Sequence, residues 1–386
     1  MYVRRLSLSE FRNYRRLELD LPAGLLLFLG RNAQGKTNLL EAVHLLSTVR
    51  SPRTSSDIEL INWRASQEGP PVARIVAEAE RKAGPVRVEM AILGPDEGRG
   101  RAGKRLRVNG VPHRASQVVG QISSVFFTPQ DLDLIGGPPS LRRRFLDITL
   151  SQVDGRYLAA LQDYMKVILQ RNALLRRIRD GAAHSDELSF WESRMAESGA
   201  YIVEARTDAT TRLAGLAATA HRNLSGGQEE LRLVYEPRWT RDWSAVDMVG
   251  KDRAALAAVL LETLERSRQQ EIAAGASLWG PHRDDLLFLL DDRPAAAFAS
   301  RAQCRTSALA LRLAEARFLL AATDDHPVLL LDDILSEMDD DRRRAVLDAF
   351  SGFDQVWITS AEEEYARAAV SQAHAFVVRE GAVFPG

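Results

Sequence analysis

Cysteine is nearly missing from this chain: Cys304 stands alone among 386 residues. An internal disulfide is therefore excluded, and a reducing compartment fits. Nothing beside Cys304 in the sequence would lower its pKa, so it reads as a small apolar filler. Long apolar runs are missing as well. The longest, residues 25–29 and 328–331, fall far short of the roughly 20 residues that a membrane helix needs. Charges and serines interrupt residues 1–11, so no signal-peptide core is expected there. The expectation is a cytoplasmic protein with no membrane partner. The seven histidines show no spacing suited to zinc. Neither sign of charge dominates: 51 basic against 52 acidic side chains leave a net charge of −1. Any argument for nucleic acid must therefore come from the distribution of charge, not its sum. No internal repeat or low-complexity tract is visible.

What is present suits a globular protein. A hydrophobic content of 45% with 27% charged residues supports a real core, and the length admits two domains or one large domain with an insertion. Leu17, Leu19 and Leu21 alternate with charged residues, as in a half-buried strand. Residues 25–29 read as a buried strand and 38–49 as a helix; alternation returns over 72–79 and 86–92. Glycine and arginine make 94–103 a loop. From about 138 to 223 the pattern turns helical, with Leu158, Leu161, Met165, Ile168, Leu169 and Leu175 at amphipathic spacing. Helices also fit 186–221 and 252–274. Strands return at 286–290 and, past Asp291 and Asp292, at 295–298. A helix over 305–320, a buried strand over 328–331, a helix and a strand over 356–359 follow. The whole predicts an α/β nucleotide-binding domain over 1–131 and 275–386, interrupted by a mainly helical domain over 132–274.

The chemistry begins with Gly30, Arg31, Asn32, Ala33, Gln34, Gly35, Lys36 and Thr37, which fit G-x-x-x-x-G-K-[ST] between an apolar strand and a helix. The glycines let main-chain N–H groups wrap phosphates, and the helix opening at Asn38 adds its favourable partial charge. Lys36 would reach the β- and γ-phosphates, and Thr37 would give its hydroxyl to Mg²⁺. A partner acid is needed at the end of a buried strand. Asp332 suits that role after 328–331, and Asp333 would polarise the attacking water. ATP and Mg²⁺ are the expected cofactors.

Leu224-Ser225-Gly226-Gly227-Gln228 spells the ABC-transporter signature. It lies far upstream of Val328, however, and leads into alternating Leu231, Leu233 and Tyr235, so it reads as a turn entering a strand. Ser300-Arg301-Ala302-Gln303 is better placed, since it opens a helix just before the strand at Val328. A helix N-terminus bearing serine can bind an anion, here the γ-phosphate held by a second subunit.

With these residues the chain resembles the RecF family of bacterial recombination-mediator ATPases, relatives of the SMC-type ABC proteins. The matching stretches run nearly end to end. They include Phe11-Arg12-Asn13-Tyr14, the P-loop with Asn38-Leu39-Leu40-Glu41-Ala42, and Arg53-Thr54. Phe127-Thr128-Pro129-Gln130-Asp131-Leu132, Arg142-Arg143-Arg144-Phe145-Leu146-Asp147 and Gly280-Pro281-His282-Arg283-Asp284-Asp285 follow, then 300–305 and 329–339. The resemblance implies an ABC-type ATPase head with a mixed sheet and flanking helices. Gln130 would resemble a Q-loop residue that senses metal and water, and Ser336-Glu337-Met338-Asp339 a D-loop. ATP on one P-loop would be completed by Ser300, Gln303 and Asp339 of another subunit, closing a homodimer over duplex DNA. The family role implied is recognition of gapped DNA and single-strand/double-strand junctions, with RecO and RecR, in loading RecA. Hydrolysis would be slow and DNA-stimulated, and would reset the clamp.

Three positions depart from the family. Ala302 replaces the signature glycine, and a Cβ there is expected to weaken ATP-driven dimerisation if the position needs positive φ or close approach. Ala33 stands where glycine is frequent, at a site that the general P-loop pattern leaves open. Gln130 stands in place of the usual glutamate.

Arg99, Arg101, Lys104, Arg105 and Arg107 have no acid among them. They read as a flexible hairpin tip suited to phosphate contact. Few aromatics interleave with them, which favours duplex over stacked single strands. His282 and Arg283 read as structural or nucleotide-adjacent. A long-coiled-coil SMC protein fails for want of sustained heptads. A transporter subunit would call for a membrane partner that nothing here suggests.

Overall fold

The computed structural model describes residues 1–64, 71–94, 103–238, 250–335, 338, 340–362 and 373–386. They form two compact units, Met1–Asp131 together with Arg312–Gly386, and Leu132–Leu311.

The first unit opens with β1 (Tyr2–Phe11), β2 (Tyr14–Asp20), β3 (Gly24–Leu29), α1 (Lys36–Thr48), β4 (Val72–Glu80), β5 (Val86–Leu93), β6 (Gly103–Val108), β7 (Val111–His113) and β8 (Ser124–Phe127). The second unit holds α2 (Pro139–Val153), α3 (Gly155–Arg179), α4 (Leu188–Ser225), β9 (Leu231–Glu236), α5 (Arg253–Ala274), β10 (Asp285–Leu290) and β11 (Arg293–Pro294). Helix α6 (Arg301–Thr323) crosses the division. Strand β12 (Val328–Asp332), α7 (Asp340–Phe350), β13 (Gln355–Ser360), β14 (His374–Arg379) and β15 (Ala382–Pro385) complete the first unit.

Two six-stranded sheets build that unit. One is antiparallel in the order β2-β1-β4-β5-β6-β7; the other runs β15-β14-β3-β13-β12-β8 and is parallel apart from β15. The antiparallel sheet shows the alternation its sequence predicts. One face, with Leu6, Leu8, Ile75, Val88 and Met90, joins a core shared with Leu39, Leu40 and Val43 of α1 and with Leu26, Phe28 and Trp357 of the second sheet. The other face carries a lattice of charges, in which Arg5 meets Glu18, Arg74 meets Glu89 and Arg87 meets Glu78. Strand β3 lacks alternation because it lies between β13 and β14, both parallel to it, and such strands are covered on both faces.

The second unit combines α2 to α5 with a three-stranded sheet, β11-β10-β9. Local signals set its helix ends. Pro139 occupies the first turn of α2, where its missing N–H costs nothing. Asp154 and Asp252 cap α3 and α5 through Arg156 N and Ala255 N at 2.9 and 2.7 Å.

Four expectations need correction. The second unit runs on to Leu311, past the boundary expected at 274, because β10 pairs with β9 rather than with the P-loop sheet. Residues 295–298 form a helical turn, not a strand, as suits a run of alanines. Met165 and Leu169, expected on the buried face of their helix, are exposed. Residues 103–108 are a strand, so only 95–102 of the expected hairpin tip lie outside the described residues.

Candidate nucleotide site

The loop from β3 to α1 is held by close contacts that specify its glycines. Gly30 has φ +153°, and a Cβ there would lie 2.3 Å from the Val378 carbonyl oxygen on β14. Gly35 caps α1 at φ +117°, where a Cβ would meet the Asn13 side chain at 2.6 Å and the Tyr14 hydroxyl at 2.9 Å. Neither position accepts a side chain. Ala33 also lies in the left-handed region, with φ 64°. The position that the motif leaves open is therefore one that favours glycine.

Lys36 is buried, and its Nζ donates to the Gly30 carbonyl and, at 3.0 Å, to that of Arg31. Burial lowers its pKa, opposed by Asp333 and Asp332. Thr37 Oγ1 donates to Asp332, 2.8 and 2.9 Å from its two carboxylate oxygens. Thr359 on β13 donates to the same carboxylate at 2.9 Å and accepts the Asp333 N–H at 3.0 Å. Thr37 and Asp332 present the hard oxygen donors that Mg²⁺ takes. Arg31 and Asn32 are exposed on the loop. Gln34 faces the protein: its side-chain oxygen accepts the Glu380 N–H at 2.8 Å. Asn38 donates to Asn13 at 2.8 Å.

Gln130 is exposed in the short turn Pro129–Asp131 after β8, which pairs directly with β12. Asp131 next to it receives Arg312 at 3.1 and 2.7 Å, and Arg312 also meets Glu315 at 2.8 Å. The turn carrying Gln130 is thus anchored to α6.

A support that residue chemistry alone did not reveal lies behind the loop. Glu41 is fully buried and accepts Arg12 through both oxygens, at 2.9 and 2.7 Å, with Ser51 at 2.6 Å. Arg53 bonds the Asn38 side chain at 2.8 Å. Asn13 donates to the Gln34 carbonyl at 2.8 Å, and Tyr14 to the Gly35 carbonyl at 3.0 Å. Apart from Gln34, Gly35, Asn38 and Glu41 of the motif and its helix, and Ser51, these residues belong to the short stretches around Arg12 and Arg53 that carry the family resemblance. That resemblance was the only signal for them. A cleft of about 670 Å³ opens beside them, lined by Arg12, Asn13, Asn38, Arg53, Ile58 and Trp63 among others. Its mixed lining suits a nucleoside.

The serine motif builds a capping box in the second unit. Ser300 Oγ accepts the Gln303 N–H at 3.2 Å, and Gln303 Oε1 accepts the Ser300 N–H at 2.7 Å. Ala302 lies within α6 and is not among the residues of positive φ. The conformational reason for a glycine there is absent, and only close approach remains. Ser336, Glu337 and Asp339 lie outside the described residues. Beside them, Arg343 donates to the carbonyls of Leu335 and Met338 at 3.1 and 2.6 Å. The transporter-like stretch ends α4 instead of opening a helix: Gly226 is its left-handed cap at φ 68°.

Of the basic cluster, Arg99 and Arg101 lie outside the described residues. Lys104 is committed internally, to the Val49 carbonyl at 2.9 Å and to Asp57, so the expectation of a free phosphate contact fails for it. Arg105 and Arg107 are exposed on β6.

The Gly280–Asp285 stretch is a brace. Arg142 grips Asp285 at 2.7 and 2.8 Å, Arg143 donates to the Asp284 carbonyl at 2.8 Å, and Arg206 to the Pro281 carbonyl at 2.7 Å. His282 Nδ1 lies 2.8 Å from the Tyr164 hydroxyl, and burial pushes the imidazole down to about 4.

Comparison with known proteins places this geometry. Residues 2–383 match the family model RecF/RecN/SMC N terminal domain. The chain is 41% identical to the DNA replication and repair protein RecF of Chloroflexus aurantiacus and 41% identical to that of Roseiflexus castenholzii, with all of each chain covered. It is 36% identical to the Bacillus mycoides protein over 94% of this chain and 93% of that one. Among solved structures it is similar to the recombination mediator protein RecF-ATP of the RecFOR pathway, with a TM-score of 0.87 and 28% identity over 100% of this chain and 97% of that one. An Smc head bound to the C-winged helix domain of ScpA shares the fold, with a TM-score of 0.54 and 15% identity over 100% of this chain and 98% of that one.

Proposed function

Because the chain belongs to the RecF family of DNA replication and repair proteins, we propose that it is a recombination mediator that binds gapped or junction DNA as an ATP-bound homodimer. The observation that carries this reading is the pairing of Thr37 with Asp332 beside Lys36, a P-loop site ready for a nucleotide and its metal. Main-chain N–H groups from Asn32 to Thr37 bind the phosphates, and Lys36 turns from the loop carbonyls to them. Mg²⁺, when bound by Thr37 and Asp332, neutralises charge on the phosphates. Asp333, with Gln130, orients and polarises the attacking water. Ser300 and Asp339 of a second copy complete the γ-phosphate site, and Gln303 serves by fixing Ser300.

Slow, DNA-stimulated hydrolysis then releases the clamp. Arg105 and Arg107, with Arg99 and Arg101, contact duplex backbone, and RecO and RecR are the partners in loading RecA. A cytoplasmic location fits the single cysteine and the lack of any described helix long and apolar enough to cross a membrane.

Salt-dependent binding to gapped and blunt duplexes, with and without ATP, for wild type and Lys36→Arg tests the reading. Tighter binding to gapped DNA that requires both ATP and Lys36 is expected; binding indifferent to both refutes the clamp. Sedimentation with ATP and Mg²⁺ tests the close approach at position 302: Ala302→Gly should tighten the dimer, and no gain would remove that idea.

A further inference from the structure

The stretch that imitates a transporter signature leads directly to the serine motif. Just past it, Glu229 Oε1 accepts a hydrogen bond from Gln303 Nε2 at 2.8 Å. The other end of that amide, Oε1, holds the Ser300 N–H at 2.7 Å. Both ends of the Gln303 amide are therefore engaged within the protein. The Ser300 oxygen accepts from Gln303 N, so the serine keeps its hydroxyl proton for a ligand.

The backbone next to Glu229 is fixed. Its neighbour Glu230 exchanges hydrogen bonds with Asp291, N–H to Oδ1 at 2.9 Å and carbonyl to N–H at 3.0 Å, which ties it to the β10–β11 turn. Behind it lies His221, fully buried, with Nε2 3.8 Å from Glu229 Oε2.

We infer that Glu229 is a positioning residue for the signature: its carboxylate locks Gln303 so that Ser300 meets the phosphate of ATP on a second subunit in one fixed orientation. The inference rests on the role of Ser300 proposed above. Glu229 transmits geometry and touches no nucleotide.

The test compares full-length wild type, Glu229→Ala, Glu229→Gln and Ser300→Ala with ATP and Mg²⁺. The readouts are dimerisation by sedimentation, kcat and KM for hydrolysis, monomer affinity for a fluorescent ATP analogue, and Tm. Glu229→Ala should weaken dimerisation and lower kcat by about tenfold each, the effect of losing a hydrogen bond to a charged group. Its monomer nucleotide affinity, KM and Tm should stay at wild-type values. Glu229→Gln, whose amide oxygen still accepts from Gln303, should recover both losses to within about twofold of wild type. Wild-type dimerisation and kcat in Glu229→Ala overturn the inference, as does an equal loss in the Gln and Ala variants or a loss that appears in monomer affinity or Tm. If Ser300→Ala is impaired while Glu229→Ala is not, the inference alone falls. If Ser300→Ala behaves as wild type, the reading of the signature falls and takes the inference with it.

Discussion

Ala33 holds φ 64° with a Cβ in place, a conformation that costs an L-residue roughly 1–2 kcal/mol against glycine. Part of that is returned through the freer unfolded chain of a glycine variant. Ala33→Gly should therefore stabilise the protein by about 1 kcal/mol in urea unfolding, with ATP affinity at least maintained. Asp333 also sits at positive φ, 53°, which asparagine tolerates equally well. Asp333→Asn should keep ATP binding and cut hydrolysis by about a hundredfold or more, so that the ATP-bound dimer accumulates in sedimentation.

His282 makes a pH prediction. Its folded pKa of about 4 lies below the unfolded value near 6.5, so its contribution to stability is complete above pH 6.5 and is lost as pH falls towards 4. Asp284, pushed up to about 6 by burial, works in the opposite sense below pH 6. Thermal unfolding of wild type between pH 7 and 4 should thus fall more steeply than that of His282→Asn. At this scale the glycines at 30 and 35 were legible, because the motif names them. The left-handed turn at Ala33 was not, because a pattern with an open position carries no dihedral angle.

Elements brace one another through a few buried side chains. The β1–β2 turn reaches under the P-loop with Asn13 and Tyr14, while Arg12 neutralises buried Glu41 on α1. Arg12→Ala would leave that carboxylate with Ser51 and the half-exposed Arg53, and losing hydrogen bonds to a charged group costs roughly 1.5–3 kcal/mol. Urea unfolding should show a loss of that order, with a smaller loss in Glu41→Gln, which leaves no buried charge behind. Strand β6 sorts its cations by alternation. Lys104 is tied down beside α1, while Arg105 and Arg107 stand on the exposed face. Arg105→Ala and Arg107→Ala should each reduce the salt slope of duplex binding by about 1, and Lys104→Ala should leave the slope alone and lower stability. Periodicity revealed most of these elements, since α1, β4 and β5 all follow their apolar spacing, while β3 showed as a continuous apolar run. It misplaced Met165 and Leu169, which repeat at helical intervals on α3 yet are exposed. Spacing identifies a stripe but not whether anything covers it.

Across the whole molecule, the sequence showed that a helical region interrupts an α/β domain. It did not show which strands belong to which part. Residues 286–290 carry the same apolar signature as a P-loop strand, and only their pairing with β9 assigns them to the second unit. The Thr37–Asp332 bond was inferable from two motifs together, whereas the contact of Gly30 with Val378 on β14 has no local signature at all.

That contact also concerns synthesis. Strand β3 leaves the ribosome early, yet both of its neighbours in the sheet, β13 and β14, are translated after the entire second unit. At about 5–20 residues per second, the nascent chain carries an unpaired apolar strand for some tens of seconds while the intervening unit emerges. A chaperone that shields short hydrophobic segments would find its natural client in residues 24–29, and ATP binding would report that the final strands have docked.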